Sequence, residues 1–134
     1  MSTLINTLKR HEGLRLKPYR CSANKLTIGY GRNLEDVGIS EREAEAMLLA
    51  DMLRSRADLF KVFPDADTFS QGRQDALINM VFNLGLTRFL GFKKMIAAIE
   101  DRDWERAADE AMDSRWYHQV KSRGEEVVSL IREG

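Results

Sequence analysis

Residues 71–84 (QGRQDALINMVFNL) are apolar on nearly every side of a helix, and Gly85 follows them directly. A helix with apolar residues all round is buried inside a protein, and a glycine after its last turn is typical of a helix end. A chain of 134 residues buries about two thirds of its unfolded surface, which suffices for one core. We therefore predict one domain, residues 1–134, with this helix at its centre.

Apolar residues at helical spacing predict further helices at 2–12, from Ser40 to about Pro64, and at 92–100, 104–113 and 123–132. The helix after Ser40 is acidic and could link two lobes, and its apolar stripe is formed by Ala46, Leu49, Leu53, Ala57 and Phe60. Ser40 with Glu43, and Ser122 with Glu125, match the capping box of a helix start.

The segment between the first two helices alternates like a β-hairpin. Leu14 and Leu16 alternate with polar residues, Pro18 limits this run to an edge strand, and 21–25 is polar enough for a turn. Leu26, Ile28 and Tyr30 then alternate with Thr27, Gly29 and Gly31. The predicted fold class is α+β: a hairpin lobe at about 13–60, joined by a helix to a helical lobe at about 65–134 that includes helix 2–12.

The charges are unevenly distributed although the net charge is zero. Residues 1–33 hold seven Lys or Arg and one acid, Glu12, whereas residues 34–70 hold four against nine. Such a basic segment attracts an anionic polymer, either nucleic acid or bacterial cell wall, although ordinary solvated surface charge explains it equally well.

The N-terminus lacks the basic and apolar regions of a signal peptide, and no apolar stretch has the length of a membrane span. One cysteine, Cys21, excludes an internal disulfide and suits a reducing compartment. His11, His118 and Cys21 form no recognised metal-ligand spacing, and no phosphate-binding loop is present. We therefore expect synthesis in the cytoplasm, no stable membrane insertion, and no metal or other cofactor.

Three reactive side chains lie close together in the sequence: Glu12, Cys21 and Thr27. A carboxyl group that stays protonated can donate a proton to the leaving oxygen of a glycosidic bond. An apolar helix face favours the protonated form by desolvation, a nearby cation such as Arg15 favours the carboxylate, and the sequence leaves open which effect is larger. Thr27 has the hydroxyl needed to hold a water molecule, or it is an ordinary strand threonine.

His11–Arg32, ALINMVFNLG at 76–85, GF at 91–92 and DSRWYHQ at 113–119 together resemble the bacteriophage-type lysozymes, the muramidase endolysins. The resemblance covers nearly the whole chain, with a shorter region between the hairpin and the core helix than in the longest members. It implies a lysozyme-like fold and cleavage of the β-1,4 bond between N-acetylmuramic acid and N-acetylglucosamine in peptidoglycan, which lyses the host bacterium. It also implies a monomer that stays in the host cytoplasm until a separate, holin-like membrane-permeabilising protein gives it access to the wall.

The resemblance implies that Glu12 is the general acid. Cys21 stands where the commonest family pattern has aspartate, so a thiolate there would orient or activate water, or stabilise the developing positive charge. A thiol at its reference pKa of about 8.5 is mostly neutral at pH 7, but Arg20, Lys25 and Arg32 would favour the thiolate and Glu12 would oppose it. With Thr27 beside that water, the arrangement would be that of an inverting hydrolase, and a covalent glycosyl thioether is the second variant.

The same resemblance implies substrate contacts at Gly29, Gly31, Asn33, Phe82 and Arg123. The two glycines leave room for a sugar chain, or they serve only turn geometry; Phe82 is either a cleft aromatic or a core residue, and Arg123 is either a partner of the catalytic glutamate or a surface charge. Met95 and Glu110 replace two family substrate residues, so those contacts are not carried over. Trp104, Trp116 and Tyr117 could stack on sugars, but their helical spacing favours packing in the core.

Three other functions remain open from the sequence. Cys21 with His11 or His118 would form the nucleophile pair of a peptidoglycan amidase or peptidase. An inert wall-binding module would result if cysteine in place of aspartate abolished activity. DNA binding by the basic N-terminal segment lacks any recognised nucleic-acid motif.

Overall fold

The computed structural model describes residues 3–134 and has the predicted α+β class. Its described residues form eight α-helices and one three-stranded sheet. The chain divides into two compact units, Met1–Met47 and Leu48–Gly134. The single domain at 1–134 and the predicted lobe boundaries stay predictions, and Ser2, the first residue of predicted helix 2–12, lies outside the described residues.

The first unit contains one helix and a small antiparallel sheet whose strands follow chain order, β1-β2-β3. Pro18 lies in β1, an edge strand as predicted, and the register shifts between Arg15 and Tyr19. An edge position suits proline because it has no N–H to donate. β2 pairs with both neighbours, with Thr27 opposite Tyr19 on one side and Asn33 on the other. The elements are α1 (Thr3–Glu12), β1 (Arg15–Arg20), β2 (Leu26–Gly29) and β3 (Arg32–Asn33).

Helix α2 (Glu41–Val62) begins with the predicted capping box. The backbone N–H of Glu43 donates to Ser40 Oγ over 3.1 Å, and the N–H of Ser40 donates to a Glu43 carboxylate oxygen over 2.9 Å. The two residues thus satisfy two donors at the helix start that have no partner within the helix.

The apolar stripe of α2 is mostly exposed, although Phe60 packs partly buried against the core. Leu49 and Leu53 are exposed, and the buried side chains of this helix are Ser55 and Leu59. Ser55 is accommodated because its hydroxyl donates to the backbone carbonyl of Asp51 over 2.9 Å. Helical spacing identifies apolar positions but not which of them the neighbouring helices cover.

The second unit is helical and surrounds α3 (Gln71–Leu84), the helix predicted at 71–84. Leu77, Met80 and Val81 are almost completely buried, and α3 packs against α8 and α4. Gly85 ends α3 with a φ of 80°, which an L side chain rarely adopts. A short 3₁₀-helix at Ala66–Thr68 precedes α3, and the remaining helices are α4 (Leu86–Leu90), α5 (Lys93–Glu100), α6 (Trp104–Met112), α7 (Arg115–Val120) and α8 (Ser122–Glu133).

The start of α8 corrects the second predicted capping box. Lys121 is the N-cap, with a φ of 52°, and makes no side-chain capping bond, whereas Ser122 is already helical. Ser122 is therefore one position too late to cap the helix. Among the helices of residues 3–134, none is both long and apolar enough to cross a bilayer.

Candidate active site

Glu12 is the last residue of α1, and Gly13 turns the chain away from the helix. The N–H of Gly13 donates to the carbonyl of Lys9 over 3.0 Å, and its φ is 72°. The Glu12 side chain is exposed, and none of the described residues of α1 is buried. A Cβ built on Gly31 would lie only 2.8 Å from Glu12 Oε2. The carboxyl group therefore rests directly against the backbone of Gly31.

Cys21 begins the predicted turn between β1 and β2. Its N–H donates to the carbonyl of Lys25 over 3.0 Å, and the N–H of Asn24 donates to the carbonyl of Cys21 over 2.8 Å. Asn24 has a φ of 59°, a left-handed conformation that asparagine tolerates better than most residues. The backbone of this turn therefore fixes the position of the half-buried Cys21 thiol.

The pKa of the Cys21 thiol is lowered from its ordinary value, chiefly by the backbone amide of Lys25 and then by that of Ala23. Partial burial opposes this shift, and a hydrogen bond with the Thr27 hydroxyl adds to it. Amide donors aimed at sulfur stabilise its negative charge. The turn thus favours the thiolate, the form of cysteine that can act as a base or nucleophile.

The three cations expected to favour the Cys21 thiolate have acidic partners of their own. Because each positive charge is matched by a nearby carboxylate, the pKa shift at Cys21 comes from backbone dipoles and Thr27 rather than from these side chains. The pairs are Arg20 with Glu35, Lys25 with Asp36, and Arg32 with Glu43.

Thr27 is 3% exposed at the centre of the sheet, and its hydroxyl donates to the carbonyl of Lys25 over 2.8 Å. The same carbonyl accepts the N–H of Cys21. One backbone oxygen therefore holds Cys21 and Thr27 together. The oxygen of the Thr27 hydroxyl also has lone pairs that can accept a hydrogen bond from water.

The predicted substrate residues of the first unit have local structural duties as well. Gly29 and Gly31 have φ values of 71° and 85°, and a Cβ on Gly29 would meet nothing within 4 Å. The Asn33 side chain caps a turn, because its Oδ1 accepts the N–H of Asp36 and its Nδ2 donates to Asp36 Oδ2, both over 3.0 Å. Open space beside Gly29 is compatible with a sugar chain, and a substrate role for all three residues stays a prediction.

Phe82 and Arg123 line one groove of about 620 Å³ in the second unit. Phe82 is 39% exposed, which rules out a fully buried core position. Arg123 Nε donates to Asn79 Oδ1 over 2.8 Å, so Asn79 orients the guanidinium group. Leu48, Leu49, Met52 and Ile78 supply apolar walls of the same groove.

Sequence reasoning missed Asn79 and the role of the Lys25 backbone. Asn79 precedes Phe82 by three residues on α3 and is one of the polar residues that interrupt this apolar helix, which was the available signal. Lys25 acts through its backbone carbonyl and amide, for which its side chain gives no indication.

The other aromatic candidates pack as predicted. Trp116 is buried and donates from Nε1 to Asn83 Oδ1 over 2.8 Å, while Trp104 and Tyr117 are partly buried against the core. Met95 is buried and Glu110 is half-buried. Within residues 3–134, no group of three His, Cys, Asp or Glu side chains is arranged to hold a metal ion.

The family model for phage lysozyme matches residues 9–133, which include Glu12, Cys21, Thr27 and both units. The chain belongs to the phage lysozyme family. The predicted family, lysozyme-like fold and enzyme class are thereby confirmed: this phage lysozyme family member is a lysozyme-type peptidoglycan hydrolase.

Three relatives illustrate the range of this family. "Probable T4-type lysozyme 1" of Dictyostelium discoideum is 28% identical across 100% of this chain and 96% of its own length. "Endolysin" of Acyrthosiphon pisum secondary endosymbiont phage 1 is 42% identical across 61% of this chain and 57% of its own length. "Pre-baseplate central spike protein Gp5" of Enterobacteria phage T4 is 32% identical across 98% of this chain but only 28% of its own length.

Proposed function

We propose that this lysozyme cleaves the β-1,4 bond between N-acetylmuramic acid and N-acetylglucosamine, with Glu12 as general acid and with Cys21 and Thr27 holding the attacking water. The observation that supports this assignment best is the Lys25 carbonyl, which binds both the Cys21 N–H and the Thr27 hydroxyl. This carbonyl fixes the backbone of Cys21 and the hydroxyl of Thr27, which supports a place for a single water molecule beside the two side chains.

The proposed reaction is an inverting hydrolysis. Glu12 gives its proton to the leaving oxygen as the glycosidic bond breaks, while the oxygen of water forms the new bond to the anomeric carbon on the opposite face. The Cys21 thiolate accepts the proton that water loses, and Thr27 orients the water through its lone pairs. Glu12 is exposed in the free enzyme, so its carboxyl group is accessible to a glycan.

Substrate binding is assigned to both units. Gly29 and Gly31 give the glycan access to the backbone near Glu12, and Asn33 offers its remaining amide hydrogen-bonding capacity. The partly exposed ring of Phe82 would contact the glycan. Arg123, whose guanidinium group donates to Asn79, would bind an anionic group of the wall.

The endolysin relatives support a proposed biological role. We place this protein at the end of a phage lytic cycle, as a monomer kept in the host cytoplasm until a separate holin-like membrane-permeabilising protein gives it access to the periplasm and wall. An assay of host lysis with and without such a protein tests this role: the enzyme alone, expressed inside the cell, should leave the culture intact.

The reaction is tested on purified peptidoglycan. We expect a clearing suspension with new reducing sugar ends, and we expect Glu12→Gln to abolish both. Glu126→Gln, an exposed glutamate on α8, is the matched control and should behave like the wild type.

Other products would support other functions. New amino groups without reducing ends would indicate an amidase or peptidase, although no histidine is among the groups that shift the pKa of Cys21 in the described structure. Wall binding with neither product would indicate an inert module. Full activity of Glu12→Gln would refute the assignment of the acid.

A further inference from the structure

Two neighbouring contacts join the last turn of α1 to the turn between β2 and β3. Lys9 Nζ lies 5.7 Å from the centroid of the Tyr30 ring, and the Glu12 carboxyl group rests against Gly31. Lys9 and Glu12 are three residues apart and share one helix face, while Tyr30 and Gly31 are consecutive. The two contacts therefore act side by side along the same helix–turn junction.

The position of Glu12 depends on this junction. α1 has no buried residue, and Glu12 stands at its C-terminal end, where helices fray. In the described structure no hydrogen bond or ion pair to the Glu12 carboxylate fixes its direction, and the Gly13-to-Lys9 bond fixes only the backbone. The remaining restraint on the carboxyl group is the surface of Gly31.

The Lys9–Tyr30 contact is a cation–π interaction that connects α1 to the turn between β2 and β3. The face of an aromatic ring attracts an ammonium group, and the lysine stem packs along apolar surface. Tyr30 is flanked by Gly29 and Gly31, whose left-handed φ values define the turn that presents the ring. The Lys9–Tyr30 contact thus joins the last turn of α1 to the turn between β2 and β3. Gly31, which the Glu12 carboxyl group contacts, is the next residue after Tyr30.

We propose that Lys9 and Tyr30 are positioning residues that hold Glu12 against Gly31 for proton transfer. This inference rests on the proposed role of Glu12 as general acid. It assigns Lys9 a task within the junction, distinct from general attraction of the basic segment to an anionic wall.

The test measures kcat and KM on soluble peptidoglycan fragments of defined length. Lys9→Met keeps the stem and removes the charge, and Tyr30→Leu removes the ring. A cation–π contact at an exposed site corresponds to about a two- to fivefold change, so each variant should lose about that factor in kcat with little change in KM. The double variant should lose no more than either single variant, because both changes break the same contact.

Conservative variants and a neighbouring control complete the design. Lys9→Arg and Tyr30→Phe retain the cation and the ring, so they should retain kcat. Arg10→Met removes a positive charge from the same helical turn without touching the ring and should leave kcat unchanged. Melting temperatures should stay near the wild-type value, because Lys9 and Tyr30 are exposed.

Glu12→Gln is assayed alongside these variants to distinguish failure of the positioning role from failure of the proposed reaction. Wild-type kcat in Lys9→Met and Tyr30→Leu, with an inactive Glu12→Gln, overturns the positioning role and leaves the proposed reaction intact. Additive losses of kcat in the double variant, or an equal loss of kcat in Arg10→Met, also overturn it. An active Glu12→Gln overturns both the reaction and this inference.

Discussion

We predict that replacing Gly31 by alanine displaces the Glu12 carboxyl group and leaves the first unit folded. The new Cβ would lie 2.8 Å from Glu12 Oε2, whereas ordinary contacts begin near 3.4 Å, so the carboxyl group must move by about 0.6 Å or more. Because the clash involves the end of a flexible side chain, we expect the protein to fold with a displaced acid. A misplacement of order 1 Å costs about a hundredfold in rate, so kcat should fall about ten- to a hundredfold.

The backbone contribution must be measured separately. Gly31 has a φ of 85°, and a left-handed conformation costs an L residue about 1–2 kcal/mol. Gly38→Ala is the matched control, because Gly38 has a φ of 68° in the same unit and its Cβ would meet nothing within 4 Å. Both variants should lose similar stability in denaturant unfolding.

The rates of Gly31→Ala and Gly38→Ala are compared on the same peptidoglycan substrate. The release of reducing ends by Gly31→Ala should be slow, and Gly38→Ala should keep most of the wild-type rate. Equal rates in the two variants, with both proteins folded, would show that the approach of Glu12 to Gly31 has no part in catalysis.

Three further predictions concern other parts of the chain. Because the pKa of Cys21 is lowered, alkylation should proceed at a lower pH than for a free thiol and should inactivate the enzyme. Cys21→Asp should retain activity with a more acidic optimum. Unchanged turnover after alkylation would contradict a role for the thiolate. Hydrogen bonding to Arg32 lowers the pKa of Glu43 from 4.5 to about 2, so this contact stabilises the fold above pH 4.5 and is lost as the pH falls towards 2; Glu43→Gln should flatten acid unfolding in that window. Phe89→Ala should cost about 3–5 kcal/mol in the free energy of unfolding, because Phe89 is fully buried, whereas Leu90→Ala, exposed beside it, should cost far less.

Local chemistry in the sequence was sufficient where both partners are near in the chain. Ser40 and Glu43 cap α2 as predicted because the motif contains its own donors and acceptors. The same motif at Ser122 failed because Lys121 takes the capping position after α7 ends. A motif therefore predicts a helix start only when the preceding chain leaves its first residue outside the helix.

Contacts between distant residues were harder to predict. The charges of Arg20 and Arg32 were visible in the sequence, but their partners Glu35 and Glu43 become neighbours only when the segment after β3 folds back. Burial along α2 is hard to predict for a similar reason, because it depends on which helices pack against it. Spacing predicted the elements and the candidate residues, and three-dimensional packing determined their neighbours.

In the proposed reaction, the shared acceptor at Lys25 makes the number of residues between Cys21 and Thr27 important for catalysis. The bonds that hold the two groups use the carbonyl of residue 25, the N–H of residue 21 and the hydroxyl of residue 27, and none uses a side chain of 22–25. Substitutions at Ser22 or Ala23 should therefore leave the pairing in place. Insertion or deletion of one residue would move the carbonyl away from both groups, so chain length in this turn should be more strictly constrained than residue identity.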